Sequence, residues 1–340
     1  MIYPKNLEKG YKIGVTATSS GLDSETDQRR VESAIGYFKD LAYPVIETNN
    51  VRQEEKGRSS DGQTRANELM ELYKDPDVAA IIAASGGNYL YEMLEYLDMD
   101  LIKNNPKWFQ GYSDNTGLTF TITTNLDIAT TYSNNFGSFG MKDKHRSLID
   151  NIKILQGEDL TQYSFDKYEA NYYERVTGLE SYVLDEDVCW KNIYMDDPDN
   201  GISIEGRAIG GCLDVLLNLV GTKYDKTREF VSRYKEDGIL WYLESYDLSS
   251  EDLSVGLWQL KEAGWFDNAS GFIFGRPAMY SSFYDIDYDE AILSVLGDLK
   301  LPIIMDADIG HRSPQFTMIN GALAKVESKD GKGNISFERR

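Results

Sequence analysis

Six consecutive apolar residues, Ala79-Ala80-Ile81-Ile82-Ala83-Ala84, run without a polar break and open directly into Ser85-Gly86-Gly87-Asn88. A strand without polar alternation is buried on both faces, as in a parallel sheet covered by helices. The flanking chain fits that architecture. Lys12–Ala17 is strand-like and ends in the turn Thr18-Ser19-Ser20-Gly21, after which Val31, Ala34, Ile35, Phe38 and Leu41 recur at helical spacing. Pro44-Val45-Ile46-Glu47 is a second short strand, and Ala66, Leu69, Met70 and Tyr73 mark a helix stopped by Asp75-Pro76. Leu90, Met93, Leu94 and Leu97 predict a helix after the double glycine. Trp108–Tyr112 reads as the next strand, followed by Ser113 and a helix through Leu118 and Ile122. Strands alternating with helices define a parallel α/β sheet, whose ligands gather at the carboxyl ends of the strands.

A chain of 340 residues exceeds the usual single core, so two domains are expected. The first is placed at 1–160. Residues 161–206, rich in Tyr, Asp, Glu and Asn with little periodicity, are read as a crossover with substrate-facing loops, and order resumes over 207–340. There Ile209-Gly210-Gly211 is read as a helix start, with the paired glycines allowing close helix packing. Ile239–Leu243, Phe272–Phe274 and Pro302–Met305 are strands. Leu253, Leu257 and Leu260 mark a helix, and Phe316–Val326 suggests a hairpin or bent strand around Gly321.

The formal charge of −21 disfavours a nucleic-acid polymer as partner. No window holds eighteen consecutive apolar residues, so no membrane span is expected, and the N-terminal residues lack the pattern of a secretory signal. Two cysteines, Cys189 and Cys212, fit a reducing cytoplasm and are expected as buried free thiols. No cofactor is implied. No His-x-x-x-His or Cys-x-x-Cys occurs, the two histidines are too few for an ordinary zinc site, and no metal is expected.

Ser113 lies in Gly111-Tyr112-Ser113-Asp114, where a strand gives way to a helix. A nucleophile there projects into a site, and the N–H of the following residue stabilises a developing oxyanion. The same position also suits a plain helix cap. Asn115 stands where the α/β-hydrolase elbow needs its second glycine, so this is a different motif. A serine needs an adjacent base. His145 sits in a charged stretch at a helix start, whereas His311 follows a buried strand in Asp308-Ile309-Gly310-His311, where catalytic loops are held. Glu244, ending the strand 239–243, and Asp247 are both placed to orient an imidazole. The paired glycines Gly86-Gly87 allow close approach of backbone to ligand or simply a tight turn.

In this order, Ala84–Asn88, Gly111–Leu118, Ile209–Leu213, Leu219–Thr222, Leu243-Glu244 and Gly310-His311 with Pro314 and Thr317 resemble the LD-carboxypeptidase family of serine peptidases, including its microcin C immunity branch. The resemblance implies Ser113 as nucleophile, His311 as base and Glu244 as its orienting acid. It places the oxyanion hole at a Gly86 or Gly87 backbone N–H and that of Asp114. It further implies a Rossmann-like N-terminal domain, a smaller β-rich C-terminal domain with the site spanning their cleft, and a cytoplasmic homodimer. The family's usual Thr-Ala-Leu is Thr116-Gly117-Leu118 here, and Ser85 stands where the muropeptide branch often carries arginine. The microcin-type segment therefore favours an aminoacyl- or peptidyl-nucleotide substrate over a murein L,D-peptide. Trp190 is then the candidate to stack on a nucleobase, and Arg312 the candidate cation. The alternative is a non-catalytic, two-lobed small-ligand binding protein.

Overall fold

The computed structural model describes residues 1–193 and 201–340. The chain divides into two compact units, one formed by Met1–Glu158 with Tyr172–Val183 and the other by Asp159–Asn171 with Leu184–Arg340. The crossover expected at 161–206 is thus shared between them.

In the first unit, strands β1 (Lys12–Thr16), β2 (Val45–Glu47), β3 (Val78–Ala83), β4 (Trp108–Gly111) and β5 (Thr130–Tyr132) lie parallel in the order β5-β4-β3-β1-β2. Every residue of β3 is buried, as its unbroken apolar run requires. Helix α1 (Glu25–Asp40) starts where Ser24 Oγ accepts the Asp27 N–H, and buries Val31, Ala34 and Phe38. Helix α2 (Gly62–Lys74) is capped in the same way by Asp61 and ends before Pro76. The segment Leu90–Tyr96 forms a 3₁₀ helix where an α-helix was expected. It is followed by the short helix α3 (Met99–Asn104), capped by Asp98. Helix α4 (Thr116–Leu126) carries five threonines, poor helix formers. It persists because it is buried all round and hydroxyls find backbone partners, as in Thr124 Oγ1 to Phe120 O at 3.0 Å and Thr123 Oγ1 to Ile128 O at 2.9 Å.

Helix α5 (Arg146–Leu155) begins at His145, whose Nδ1 accepts the Ser147 N–H at 3.2 Å. Burial, aided by Arg146, pushes this imidazole down from 6.5 to about 4. Below pH 6.5 the unfolded chain takes up a proton that the folded chain refuses until about pH 4, so the contribution is full above 6.5 and falls through that window. His145→Asn keeps an N-capping group and removes the titration. It should match the parent at pH ~7.5 and exceed it by roughly 1–2 kcal/mol at pH ~4.5, a figure reduced for solvent screening of a half-buried ring. Denaturant midpoints at the two pH values decide it; a gain that does not change with pH would refute the assignment.

The second unit holds an eight-stranded mixed sheet. Its strands are β6 (Gln162–Tyr163), β7 (Lys191–Ile193), β8 (Ile202–Cys212), β9 (Ile239–Glu244), β10 (Ala269–Gly275), β11 (Ile303–Ala307), β12 (Leu323–Lys329) and β13 (Lys332–Glu338), in the order β6-β13-β12-β8-β9-β10-β11-β7. The run β8-β9-β10-β11 is parallel and the flanking pairs are antiparallel. Ile209-Gly210-Gly211 closes the long strand β8, and the helix begins only at Leu213. The glycine serves the sheet: a methyl on Gly210 would lie 1.7 Å from the Tyr242 carbonyl oxygen of the adjacent strand. Of the hairpin or bent strand expected around Gly321, the bent strand is found: Met318–Asn320 and Leu323–Lys329 are extended on either side of Gly321, whose φ is +85°. A hairpin follows, joining β12 to β13 through Asp330-Gly331, both with positive φ, as a two-residue turn demands. No helix among the described residues is long and apolar enough to cross a membrane.

Candidate active site

In the first unit the candidate turn follows β4. Ser113 holds φ of +64°, an uncommon conformation for a residue with a Cβ, and opens the 3₁₀ turn Ser113–Asn115 that leads into α4. Its surroundings are tied to this strained turn by the next two side chains. Asp114 accepts Ser19 Oγ–H at 2.6 Å and the Leu90 N–H at 2.9 Å, and burial pushes its carboxyl up against those bonds. Asn115 accepts the Thr18 hydroxyl and donates through Nδ2 to Ser85 O at 2.8 Å and Tyr112 O at 3.1 Å. Sequence reasoning gave Asn115 no role of its own, placing it within the block Gly111–Leu118 and as a mismatch to another motif. The loops after β1 and β3 are thereby fixed on the serine turn. A methyl on Gly86 would lie 2.9 Å from Ser113 Oγ, so the absence of a side chain keeps space beside the hydroxyl.

In the second unit Glu244, the last residue of β9, is fully buried. Both its oxygens face His311 Nδ1, at 2.8 and 3.1 Å. Such a bond orients the ring and fixes the proton on Nδ1, leaving Nε2 as the basic nitrogen. His311 is presented by the loop after β11. Gly310 has φ of +93°, and a methyl there would come within 2.5 Å of the Glu244 carboxylate, so two independent constraints ask for glycine. Tyr246 packs its ring 4.8 Å from that of His311. Asp214 accepts the Tyr246 and Asp247 N–H groups, each at 2.9 Å, and so fixes the turn after Glu244. Of the two acids left open by sequence, Glu244 meets the histidine, while Asp247 is exposed.

The loop bearing His311 is anchored by Asp308, fully buried, which pairs with Arg276 at 2.7 Å and accepts Trp190 Nε1–H at 3.1 Å and the Phe165 N–H at 3.2 Å. Burial pushes its carboxyl up and Arg276 opposes that. Trp190 is therefore a core residue of the second unit, 2% exposed, with its ring edge-on to Phe316. That burial leaves no open ring face for a stacked base. Arg312 donates to the Pro277 and Ala278 carbonyls and lines a cavity of about 400 Å³ with Arg276, Lys191, Tyr168, Asp187 and Asp306.

Neither cysteine is in a disulfide; Cys212 is buried, whereas Cys189, expected buried, is exposed. Cys212 ends β8 in register with Glu244, and its thiol lies 3.4 Å from Asp214 Oδ2. Its sulfur, a Glu244 oxygen and a His311 nitrogen lie within 4.8 Å of one another, a donor cluster that spacing in the sequence does not reveal.

The models of the LD-carboxypeptidase N-terminal and C-terminal domains match residues 13–133 and 205–326. The chain is 26% identical to the microcin C7 self-immunity protein MccF of Escherichia coli, covering 97% of this chain and 94% of that protein. It is 24% identical to the "Probable murein peptide carboxypeptidase" of Bacillus subtilis (strain 168), covering 96% and 92%. A solved structure of MccF in complex with aspartyl sulfamoyl adenosine shares the fold with a TM-score of 0.79 at 24% identity, over 100% of this chain and 99% of that one. With the two domain models matching well over half of its residues, in order and in separate parts, the chain belongs to the LD-carboxypeptidase family.

Proposed function

We propose that the protein is a serine hydrolase cleaving small peptidyl substrates through an acyl-enzyme. Ser113 Oγ attacks the carbonyl carbon as His311 Nε2 takes its proton. The imidazolium returns that proton to the leaving nitrogen or oxygen, and water, deprotonated by the same imidazole, releases the acyl group. Backbone N–H groups of Gly86 or Gly87 and of Asp114 stabilise the oxyanion. The observation that carries the reading is the 2.8 Å bond from His311 Nδ1 to the fully buried Glu244. An ionised carboxylate is costly to bury unless a partner rewards it, and here it stabilises an imidazolium formed during each turnover. The positive φ of Ser113 supports the nucleophile, since strain of this kind clusters at functional turns.

The proposed substrate is an aminoacyl- or peptidyl-nucleotide. Ser85 with Gly86-Gly87-Asn88 supports this choice, as does the match to MccF along nearly all of both chains. Trp190 does not contribute to it. A murein L,D-peptide is the second reading, supported by the comparable match to the Bacillus subtilis protein. Both classes are tested by incubating the enzyme with an aminoacyl-adenylate analogue and with a murein tetrapeptide, and weighing the products by mass spectrometry. Release of the amino acid from the nucleotide is the expected result. D-alanine release with no nucleotide turnover transfers the activity to murein peptides. No turnover of either, together with no labelling of Ser113 by a serine-reactive phosphonate, leaves the non-catalytic binding protein.

A further inference from the structure

We propose that Cys212, Glu244 and His311 form a binding site for one divalent cation of the zinc class, and that its occupancy switches the hydrolase off. The switch rests on the catalytic reading of Glu244 and His311, whereas the site itself does not.

The serine mechanism has no use for a thiol at this position, yet the sheet puts one there. Cys212 and Glu244 are partners in the register of the parallel strands β8 and β9, each the last residue of its strand. His311 arrives from the loop after β11, and the three donor atoms fall within 4.8 Å of one another. Ligand atoms around tetrahedral zinc lie roughly 3.3–3.8 Å apart, so the widest separation in the cluster closes by about 1 Å while Glu244 and His311, now 2.8 Å apart, move away from each other. Sulfur, nitrogen and one carboxylate oxygen select zinc or cadmium over magnesium or calcium. Three protein ligands also leave a fourth position for water.

The surroundings favour a cation. Asp214 Oδ2 lies 3.4 Å from the sulfur, and Glu244 is fully buried beside it. A coordinating thiol binds as the thiolate, so the metal takes the place of the thiol proton. The carboxylate and imidazole recruited by the metal are those joined in the Glu244–His311 bond, so the bound ion breaks the pair that would serve Ser113.

The test is a Cd²⁺ titration of the full chain, followed through thiolate-to-cadmium absorption in the ultraviolet, for the parent, Cys212→Ser and Cys189→Ser. One cadmium per chain is expected in the parent and in Cys189→Ser, with the band lost in Cys212→Ser. Cys212→Ala, which keeps a small apolar group, replaces the serine variant if circular dichroism shows it unfolded. A parent without the band, or a band that follows Cys189, overturns the site. Zinc should abolish hydrolysis and a chelator restore it. Zinc that binds while hydrolysis proceeds unchanged overturns the switch. A chain that hydrolyses nothing refutes the functional reading alone, and the cadmium band still decides the site.

Discussion

Ser113→Ala should lower kcat by about 10⁴–10⁶-fold on whichever substrate the parent turns over, with the melting temperature nearly unchanged. The size follows from the unit-like behaviour of such residues: without the nucleophile, the base and oxyanion donors have nothing to activate, and only their residual assistance to water remains. The stability expectation follows from the turn. Ser113 is held at φ of +64° by its neighbours, through Asp114 to Ser19 and Leu90 and through Asn115 to Ser85, and the substitution touches none of those bonds. Alanine at the same φ is no worse off than serine. A burst of acyl-enzyme detected by intact-protein mass spectrometry should vanish together with turnover. A variant with near-parental kcat would remove Ser113 from the chemistry.

Glu244→Gln should cost about 10³–10⁴-fold in kcat with a much smaller change in KM. The amide is close in size to the carboxylate, so it fits the buried site. However, it offers His311 one donor and one acceptor in place of two acceptors facing Nδ1 at 2.8 and 3.1 Å. Glutamine can stabilise the wrong tautomer, with Nε2 protonated and useless as a base, and it provides no charge opposite the imidazolium. Stopped-flow acylation separates this from a binding defect, because the loss should appear in the acylation step at saturating substrate. A loss confined to KM would make Glu244 a merely structural acid.

Much of the architecture can be read along the chain because its signals are local. The apolar run at β3 and Pro76 after α2 each act within a few residues of where they stand. Ser113 and His311 stood out for related reasons, at strand ends in a chain with only two histidines. What escaped notice depends on register and distant contact. Gly210-Gly211 gives the same local pattern at a helix start and at the end of a strand, and only the carbonyl of Tyr242 on the neighbouring strand distinguishes them. Cys212 meets Glu244 through sheet register across thirty-two positions, which no spacing rule anticipates. Trp190 looked available because it lies in the irregular stretch 161–206, but its environment is made by Asp308 and Phe316, more than a hundred residues on.

Asp308 also bears on where this protein can be cut. The boundary suggested by composition starts the second domain at 207, after the irregular stretch, and the parallel-paired part of β8 with all of β9 to β11 lies beyond that point. Yet the carboxylate beneath the His311 loop is held by Phe165 and Trp190 as well as by Arg276. A fragment begun at 207 would contain Glu244, His311 and nearly the whole of the parallel sheet, while leaving a buried aspartate short of two of its three partners. The least ordered-looking stretch of sequence is thus part of the foundation of the histidine loop, and a dissection of the chain that respects the chemistry has to begin the second unit near Asp159.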